Sequence, residues 1–320
     1  MLCQRCNFAN PDDGRRYCER CNSYLAVKPG AFHNDLLQLS REQFVETVSE
    51  GLPLIYNNVE ALWNEAQEIA KLGNRRAVGI LQLFAEEEAA KSLLLFDAIR
   101  CPLARKDEFR RLVRGFGNHL AKGIYVKYYG SRPADLREVK SIVDVERREV
   151  YREGDYGEFV APNSILYMRE KRLYVSYVRE DDNRHGWHQP YPPDLLFGDI
   201  VPSATIRVVK ALHGTSLFTK EGLELVSDHW GHIDLEDPVS GDPPQTDPAK
   251  NAHWGQVREL NIEMLGKWEA KRGREFQAGD RQNVRIVVDE LLFPLYPFDL
   301  SPSGDVNDLP PPRWPEEFVK

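Results

Sequence analysis

Arg114 and His119 are the residue types that metal-free cleavage of RNA requires. A neutral imidazole can take a proton from an attacking hydroxyl near pH 7 and return one to a leaving oxygen. A guanidinium can hold a phosphate and stabilise the charge that develops on it. The 2′-OH of RNA is an internal nucleophile, so this pair is sufficient in principle. The same spacing also fits a purely structural pair, with an interfacial histidine and an exposed arginine.

Two polar residues near this pair can assist it. Asn118 directly precedes His119 and lies four residues after Arg114, so its side chain can orient either group. Lys122 lies three residues after His119 and adds positive charge. Gly115 and Gly117 allow the predicted helix to bend, or another backbone to come close. We interpret Asn118 and Lys122 as supporting residues of a candidate site.

Glu87 and Lys91 form an i,i+4 pair in the order that favours a helix. An exposed pair of this kind contributes only ~0.3–0.5 kcal/mol. If Glu88 or Lys91 faces the seam of a bundle instead, it needs a partner, because a lone buried charge costs several kcal/mol. We interpret Glu87 and Lys91 as structural support that holds the bundle, or a dimer partner, in register.

Four cysteines near the start of the chain predict a metal site. Cys3 and Cys6 form one Cys-x2-Cys pair, and Cys18 and Cys21 form a second pair after eleven intervening residues. Four thiolates at this spacing are typical of a closed, tetrahedral zinc ribbon. A closed site leaves no position for substrate, so we predict a structural Zn²⁺. The arginines around the cysteines make this module basic, so it could contact nucleic acid. A module that only docks against another part of a protein is the alternative.

Two further features have structural interpretations. Cys101, beside Pro102, is expected to be an inert buried thiol. His229 and His232 lack further ligands at a diagnostic spacing, so we interpret them as packing at the end of a helix.

The pattern of apolar residues predicts a mainly α protein, an antiparallel helical bundle. Residues 164–178 are rich in β-formers on both sides of a charged turn, which predicts a short β-hairpin insertion. The expected helices begin at Ser40 and end at Leu72 with an interruption at Gly51-Leu52-Pro53, and then run over residues 74–100, 107–129, 134–150, 203–230 with a break near Gly214, and 255–272.

Length and charge restrict the class of protein. The chain has 320 residues, a length that is enough for one large or two smaller domains. Its net charge is -8. Between Arg100 and Arg152, however, 14 Lys and Arg residues stand against 7 Asp and Glu. Such a basic segment suits an anionic partner, although a solvated helix surface gives the same count. No apolar run approaches the ~18 residues that cross a bilayer, so we expect a cytoplasmic protein without membrane contact.

Several motifs in order resemble one known family, the AbiV abortive-infection proteins, which are a branch of the HEPN helical superfamily. The similarity covers about residues 50–195, and the zinc ribbon and the C-terminal region lie outside it. The motifs that carry the resemblance are Asn57-x2-Glu60-Ala61-Leu62-x3-Ala66, Ala85-Glu86-Glu87-x3-Lys91, Phe116-x2-His119-x2-Lys122, and Leu173-Tyr174-Val175-Ser176 followed by Trp187 and Pro190.

The resemblance implies an antiphage protein that halts the growth of infected cells through RNA or translation. HEPN ribonucleases place an Arg-x4–6-His motif at the interface of a homodimer, which would make His119 the acid/base and Arg114 the phosphate ligand. The resemblance also implies that a phage protein triggers this growth arrest. The alternative is a non-catalytic HEPN-like module that blocks translation or senses a phage protein by binding. A third option makes the zinc ribbon the nucleic-acid contact.

This interpretation divides the chain into four parts. We expect a zinc ribbon over residues 1–28 and a HEPN-like helical bundle over 29–152. The β-hairpin and a loop follow over 153–200. C-terminal helices and a Pro-rich tail occupy 201–320, and no function is assigned to them.

Overall fold

A computed structural model describes residues 31–153, 159–179, 185–190, 200–235 and 253–304. The predicted zinc ribbon, with Cys3, Cys6, Cys18 and Cys21, lies outside the described residues, as does the end of the Pro-rich tail. The described part is mainly helical and forms a helical bundle, as expected.

The helices and strands have the following bounds. The α-helices are α1 Ala31–Gln38, α2 Arg41–Lys71, α3 Arg75–Arg100, α4 Lys106–Gly115, α5 His119–Ser131, α6 Leu136–Glu146, α7 Ser164–Leu173, α8 Ala204–Gly214, α9 Lys220–Trp230, α10 Trp254–Arg272 and α11 Arg281–Glu290. The strands are β1 Val150–Glu153, β2 Phe159–Pro162, β3 Ser176–Arg179 and β4 His185–His188, and a 3₁₀ turn spans Ala278–Asp280.

Helices α2 and α3 form an antiparallel hairpin that starts and stops where the sequence predicts. Ser40 and Gln43 form a capping box at the start of α2. Gly73, at a φ of +74°, ends the turn after α2, and the Asn74 side chain caps α3. Cys101 follows α3 in an extended conformation, because the next residue is proline. The predicted bounds of α3 are therefore confirmed.

The predicted interruption of α2 at Gly51-Leu52-Pro53 is wrong, since the helix continues through Pro53. A proline inside a helix removes one backbone hydrogen bond and costs ~3 kcal/mol. Val48, Leu52 and Val59 are buried on either side of the proline. Their packing against the core offsets the local cost, so tertiary contacts override the sequence signal.

The predicted helix over residues 107–129 is two helices, because the chain turns between Gly115 and His119. A Cβ at Gly115 would lie 3.2 Å from Leu94 Cδ2, so α4 ends in close contact with α3. The Asn118 Oδ1 atom then accepts hydrogen bonds from the backbone N–H groups of Leu120 at 2.8 Å and Ala121 at 3.3 Å. This cap starts α5 and places His119 in its first turn.

The β-hairpin predicted over residues 164–178 is also wrong in position. Most of that stretch is helix α7, which Asn163 caps through bonds from the backbone N–H groups of Ile165 and Leu166. Two short antiparallel pairs flank α7 instead. In one pair Val150 lies opposite Pro162, and in the other Ser176 lies opposite His188. The N-cap outweighs the β-propensity of Ile165 and Tyr167, which follow it in α7.

Helix α3 lies at the centre of one core that extends from Leu36 to Leu300. It packs against α2, α4, α5, α7, α8 and α9. After α11, the segment from Leu291 to Leu300 returns to the core and buries most of its side chains. The helices on both sides of the expected boundaries at 152 and 200 therefore share one core. Among the described residues, no helix has the length and apolar character needed to span a membrane.

Candidate active site around His119

One carboxylate, that of Glu87 on α3, contacts three basic side chains. Its Oε2 atom accepts a hydrogen bond from Lys122 Nζ at 2.9 Å and lies 2.8 Å from His119 Nδ1. Its Oε1 atom accepts a hydrogen bond from Arg169 Nε at 2.9 Å. His119 and Lys122 come from α5 and Arg169 from α7, so Glu87 joins three helices.

Burial strengthens the attraction between Glu87 and its cationic partners, because little water screens their charges. The side chains of Glu87 and Lys122 are 10% and 4% exposed. Burial alone would raise the pKa of Glu87, but the bond and charge of Lys122, the charge of His119 and the bond from Arg169 hold that pKa below its ordinary value. Burial lowers the pKa of Lys122, and its bond to Glu87 opposes that shift. Glu87 is therefore an anion at neutral pH.

His119 is positioned by Glu87 and remains accessible. Its side chain is 44% exposed, so the imidazole does not lie in a dry core. A carboxylate at Nδ1 favours the neutral tautomer that carries its proton on that nitrogen. Nε2 is then left with a lone pair that can accept a proton.

His119 lines a cavity of about 290 Å³ between α3, α5 and α7. This volume is close to the lower end of the range for small-ligand sites, ~300–1,000 Å³. The lining combines charged groups with an apolar wall. The polar lining residues are Glu86, Glu87, His119, Lys127, Ser164, Arg169 and Arg172, and the others are Leu83, Gly123, Val126, Ile165 and Met168.

A glycine on α5 allows α7 to reach this position. A Cβ at Gly123 would lie 2.1 Å from Ile165 Cγ2, far inside van der Waals contact. Because Gly123 has no side chain, Ile165 packs directly on the α5 backbone. Arg169, one turn after Ile165, then reaches Glu87.

Arg114 does not line the cavity of His119. It is exposed on α4 and lines a separate cavity of about 280 Å³, together with Arg111, Asn118 and Asp299. His119 does not line that cavity. The sequence-predicted pair is therefore not brought together in one cavity of a single chain. The Oδ1 atom of Asn118 caps α5.

The i,i+4 spacing predicts a pair between Glu87 and Lys91, but the structure does not contain it. The Lys91 ammonium pairs with Glu88 instead and lies 5.6 Å from the centre of the Phe116 ring. Both partners are half-buried. The expectation that a charge at the seam needs a partner holds for Glu88 and Lys91, while Glu87 turns towards α5 and α7.

Sequence reasoning missed Arg169, Arg172 and Glu86. The first two were assigned to the turn of a β-hairpin, which hid their place on a helix. The available signal was Asn163, a strong N-cap residue directly before the stretch. Glu86 appears only within the Ala85-Glu86-Glu87-x3-Lys91 motif of the resemblance, and no local pattern shows that it lines a cavity.

The minor expectations for Cys101 and His229 agree with the structure, whereas His232 is exposed and does not pack at the helix end. Cys101 is buried, and burial raises the pKa of its thiol to about 12, which makes it unreactive. His229 Nε2 lies 3.0 Å from the Leu260 carbonyl oxygen, so His229 packs the end of α9 against α10. Over the described ranges, no three His, Cys, Asp or Glu side chains are grouped as metal ligands.

No family model, curated protein or solved structure matches this chain. The resemblance to the AbiV family therefore stays a prediction, and the function is argued from the site.

Proposed function

We propose that the protein is a metal-independent endoribonuclease of the abortive-infection kind, in which His119 is the acid/base residue. One observation carries the proposal. An accessible imidazole, oriented by a buried carboxylate, lines a cavity of about 290 Å³ with cationic side chains around it. This arrangement matches the requirements of transphosphorylation, which needs a proton acceptor and positive charge near a phosphate.

The reaction follows from the tautomer that Glu87 favours. Nε2 of His119 takes the proton of the 2′-OH, and the 2′-oxygen attacks the adjacent phosphorus. The bond from phosphorus to the 5′-oxygen breaks, and that oxygen leaves with a proton from the His119 imidazolium of either copy in a homodimer. The products are a 2′,3′-cyclic phosphate and a 5′-hydroxyl, so no metal, water or redox partner is consumed.

The decisive variant is His119→Ala, tested on purified full-length protein with RNA in the presence of EDTA. Loss of a general acid/base predicts a rate ~10²–10⁴-fold lower. His232→Ala is the matched control, because His232 is also exposed but does not line the cavity. Cleavage that is equal in wild type and His119→Ala, or that depends on added metal, would contradict the proposal.

The proposed homodimer gives Arg114 a role in trans. Within one chain Arg114 and His119 line different cavities, which favours a contribution of Arg114 from the second copy. Mixing inactive His119→Ala chains with inactive Arg114→Ala chains would then produce heterodimers with one intact composite site. We expect partial recovery of cleavage. A mixture that stays inactive, although the two chains associate, would count against a role in trans.

A second candidate function is a non-catalytic module that binds RNA or a phage protein. The observation that favours it is the separation of Arg114 from His119 within one chain. In that case His119→Ala would retain growth arrest in infected cells, and the purified protein would bind RNA without cutting it. Deletion of residues 1–28 tests whether the bundle or the zinc ribbon binds the RNA. If the ribbon is the contact, the deletion variant loses RNA binding while His119→Ala keeps it.

The four-cysteine module is proposed to hold a structural Zn²⁺ through Cys3, Cys6, Cys18 and Cys21. The spacing of the thiols supports it, since closed four-thiolate sites fold small modules and do not catalyse. Metal analysis of the full chain is expected to find zinc, and Cys6→Ser is expected to remove it. Zinc retained in Cys6→Ser would contradict this ligand set.

A further inference from the structure

Arg172 is a cation of the His119 cavity whose hydrogen-bonding capacity is not fully used. It lies on the last turn of α7, three residues after Arg169. Arg169 is already engaged, because it donates to Glu87 and to Glu170. The Nε atom of Arg172, in contrast, is buried and has no hydrogen-bond partner. Because Nε is closed to solvent, Arg172 can meet a ligand in the cavity only through the rest of its guanidinium group, which lines the cavity.

The charges around the cavity leave a cationic remainder. Glu87 is compensated by Lys122 and Arg169. Glu86 is the other carboxyl group in the lining; burial raises its pKa, which the charge of Arg172 partly offsets. Together, Lys122, Lys127, Arg169 and Arg172 outnumber the carboxyl groups of Glu86 and Glu87. Lys127 and Arg172 therefore remain available to attract an anion.

The opposite wall of the cavity suits the rest of a nucleotide. Leu83, Val126, Ile165 and Met168 supply apolar surface within the same lining. A phosphate with an attached ribose and base matches this division, because the phosphate meets the cations and the base meets the apolar side chains. Inorganic anions alone would leave the apolar wall unused.

We propose that Arg172, assisted by Lys127, binds the phosphate of a nucleotide beside His119 within each single chain. This inference rests on the proposed function and deepens it, since it assigns the phosphate contact to Arg172 of the same chain. It does not require a second copy. Arg114 of the second copy would then serve the site by contacting the RNA at a position other than this phosphate.

The test is a calorimetric titration of the full-length protein with uridine 3′-monophosphate, which measures the dissociation constant. Replacing a charged hydrogen-bond donor by a neutral one predicts binding ~10-fold weaker or more for Arg172→Gln. Lys127→Gln, an exposed position that should not disturb folding, is expected to weaken binding by a smaller factor. Arg137→Gln is the matched control, because Arg137 is an exposed arginine on α6 outside the cavity. Uridine without phosphate should bind much more weakly than the nucleotide.

Each outcome decides between the two proposals. Equal affinity of wild type and Arg172→Gln, or no binding to the wild type, overturns the inference. If Arg172→Gln unfolds, unchanged affinity in Lys127→Gln overturns it. If binding depends on Arg172 but the wild-type protein does not cleave RNA, the inference is supported and the proposed nuclease function is wrong. RNA cleavage that is normal in a folded Arg172→Gln protein supports the nuclease function and overturns the inference.

Discussion

Glu87 has two roles that follow from one buried negative charge. Lys122 is almost fully buried, so it needs a counter-ion, and Glu87 Oε2 lies 2.9 Å from its ammonium. His119 needs an acceptor for Nδ1 if Nε2 is to act as a base, and the same oxygen lies 2.8 Å away. Replacing the carboxylate should therefore affect stability and chemistry together.

We expect Glu87→Gln to lower the free energy of unfolding by ~3–5 kcal/mol, because it leaves the Lys122 ammonium buried without a counter-ion. Urea denaturation at neutral pH measures the change. Glu68→Gln breaks an exposed pair with Lys71 and should cost less than ~1 kcal/mol. The double variant Glu87→Gln/Lys122→Met should regain much of the loss. A single variant as stable as wild type would show that this pair does not stabilise the fold.

The pH dependence of stability follows from the same carboxylate. The pKa of Glu87 in the folded protein lies below its ordinary value of 4.5. Its contribution to stability is therefore complete above pH 4.5 and is lost as the pH falls through the lowered pKa of the folded state. We expect wild type to lose more stability than Glu87→Gln when urea midpoints are compared at neutral pH and below 4.5. Parallel losses in the two proteins would contradict this assignment.

At the scale of elements, the site depends on where α7 lies. Its position is set by the direct packing of Ile165 on Gly123 and by the bond from Arg169 to Glu87. Asn118 and Asn163 define the first turns of α5 and α7, which sets the positions of His119 and Arg169 on their helices. Two caps and one glycine thus position the side chains of the cavity.

We expect Gly123→Ala to displace α7, because the new Cβ would lie 2.1 Å from Ile165 Cγ2. Overpacking of this kind costs ~1–3 kcal/mol, and affinity for uridine 3′-monophosphate should fall with it. Gly130→Ala is the matched control on the same helix, since a Cβ there meets no atom within 4 Å. That change should stabilise the helix by ~0.5–1 kcal/mol.

A second variant separates crowding from other effects of the alanine. Gly123→Ala/Ile165→Ala removes the atoms that clash and should restore the position of α7 in part. If the double variant binds the nucleotide no better than Gly123→Ala, crowding is not the cause of the loss.

At the scale of the whole molecule, a second buried ion pair joins the segment after α11 to the central helix α3. Asp97 and Arg100 on α3 pair with each other and are almost completely buried. Asp97 Oδ2 also accepts from the Tyr125 hydroxyl at 2.7 Å and the Leu295 N–H at 2.8 Å, while Arg100 Nη1 donates to the Leu292 carbonyl oxygen at 2.8 Å. The C-terminal segment is therefore part of the same folding unit as α3 and α5.

We expect Asp97→Asn to destabilise the protein by ~3–5 kcal/mol, since it leaves the Arg100 guanidinium in the core without a counter-ion. Thermal unfolding followed by circular dichroism measures the shift. Asp107→Asn is the control, because Asp107 forms an exposed i,i+3 pair with Arg110 and should change stability by less than ~1 kcal/mol. Similar effects of the two substitutions would argue against the ion pair as a link between the segments.

Local signals in the sequence determined much of the helical framework. The period of apolar residues, the capping box at Ser40, the Asn74 cap and the Cys101-Pro102 stop predicted the start of α2 and the bounds of α3. Each of these signals acts within a few residues along the chain, so it can be recognised without the fold.

Only the tertiary structure decided what His119 contacts. Glu87 lies 32 residues before His119 and 82 before Arg169, so their hydrogen bonds form only after α3, α5 and α7 have packed. The same holds for Pro53 inside α2, where burial outweighs a local helix-breaking signal. Sequence alone determined the candidate histidine, because its residue type is a local property. Its partners and its cavity depend on contacts between distant segments, which no local pattern encodes.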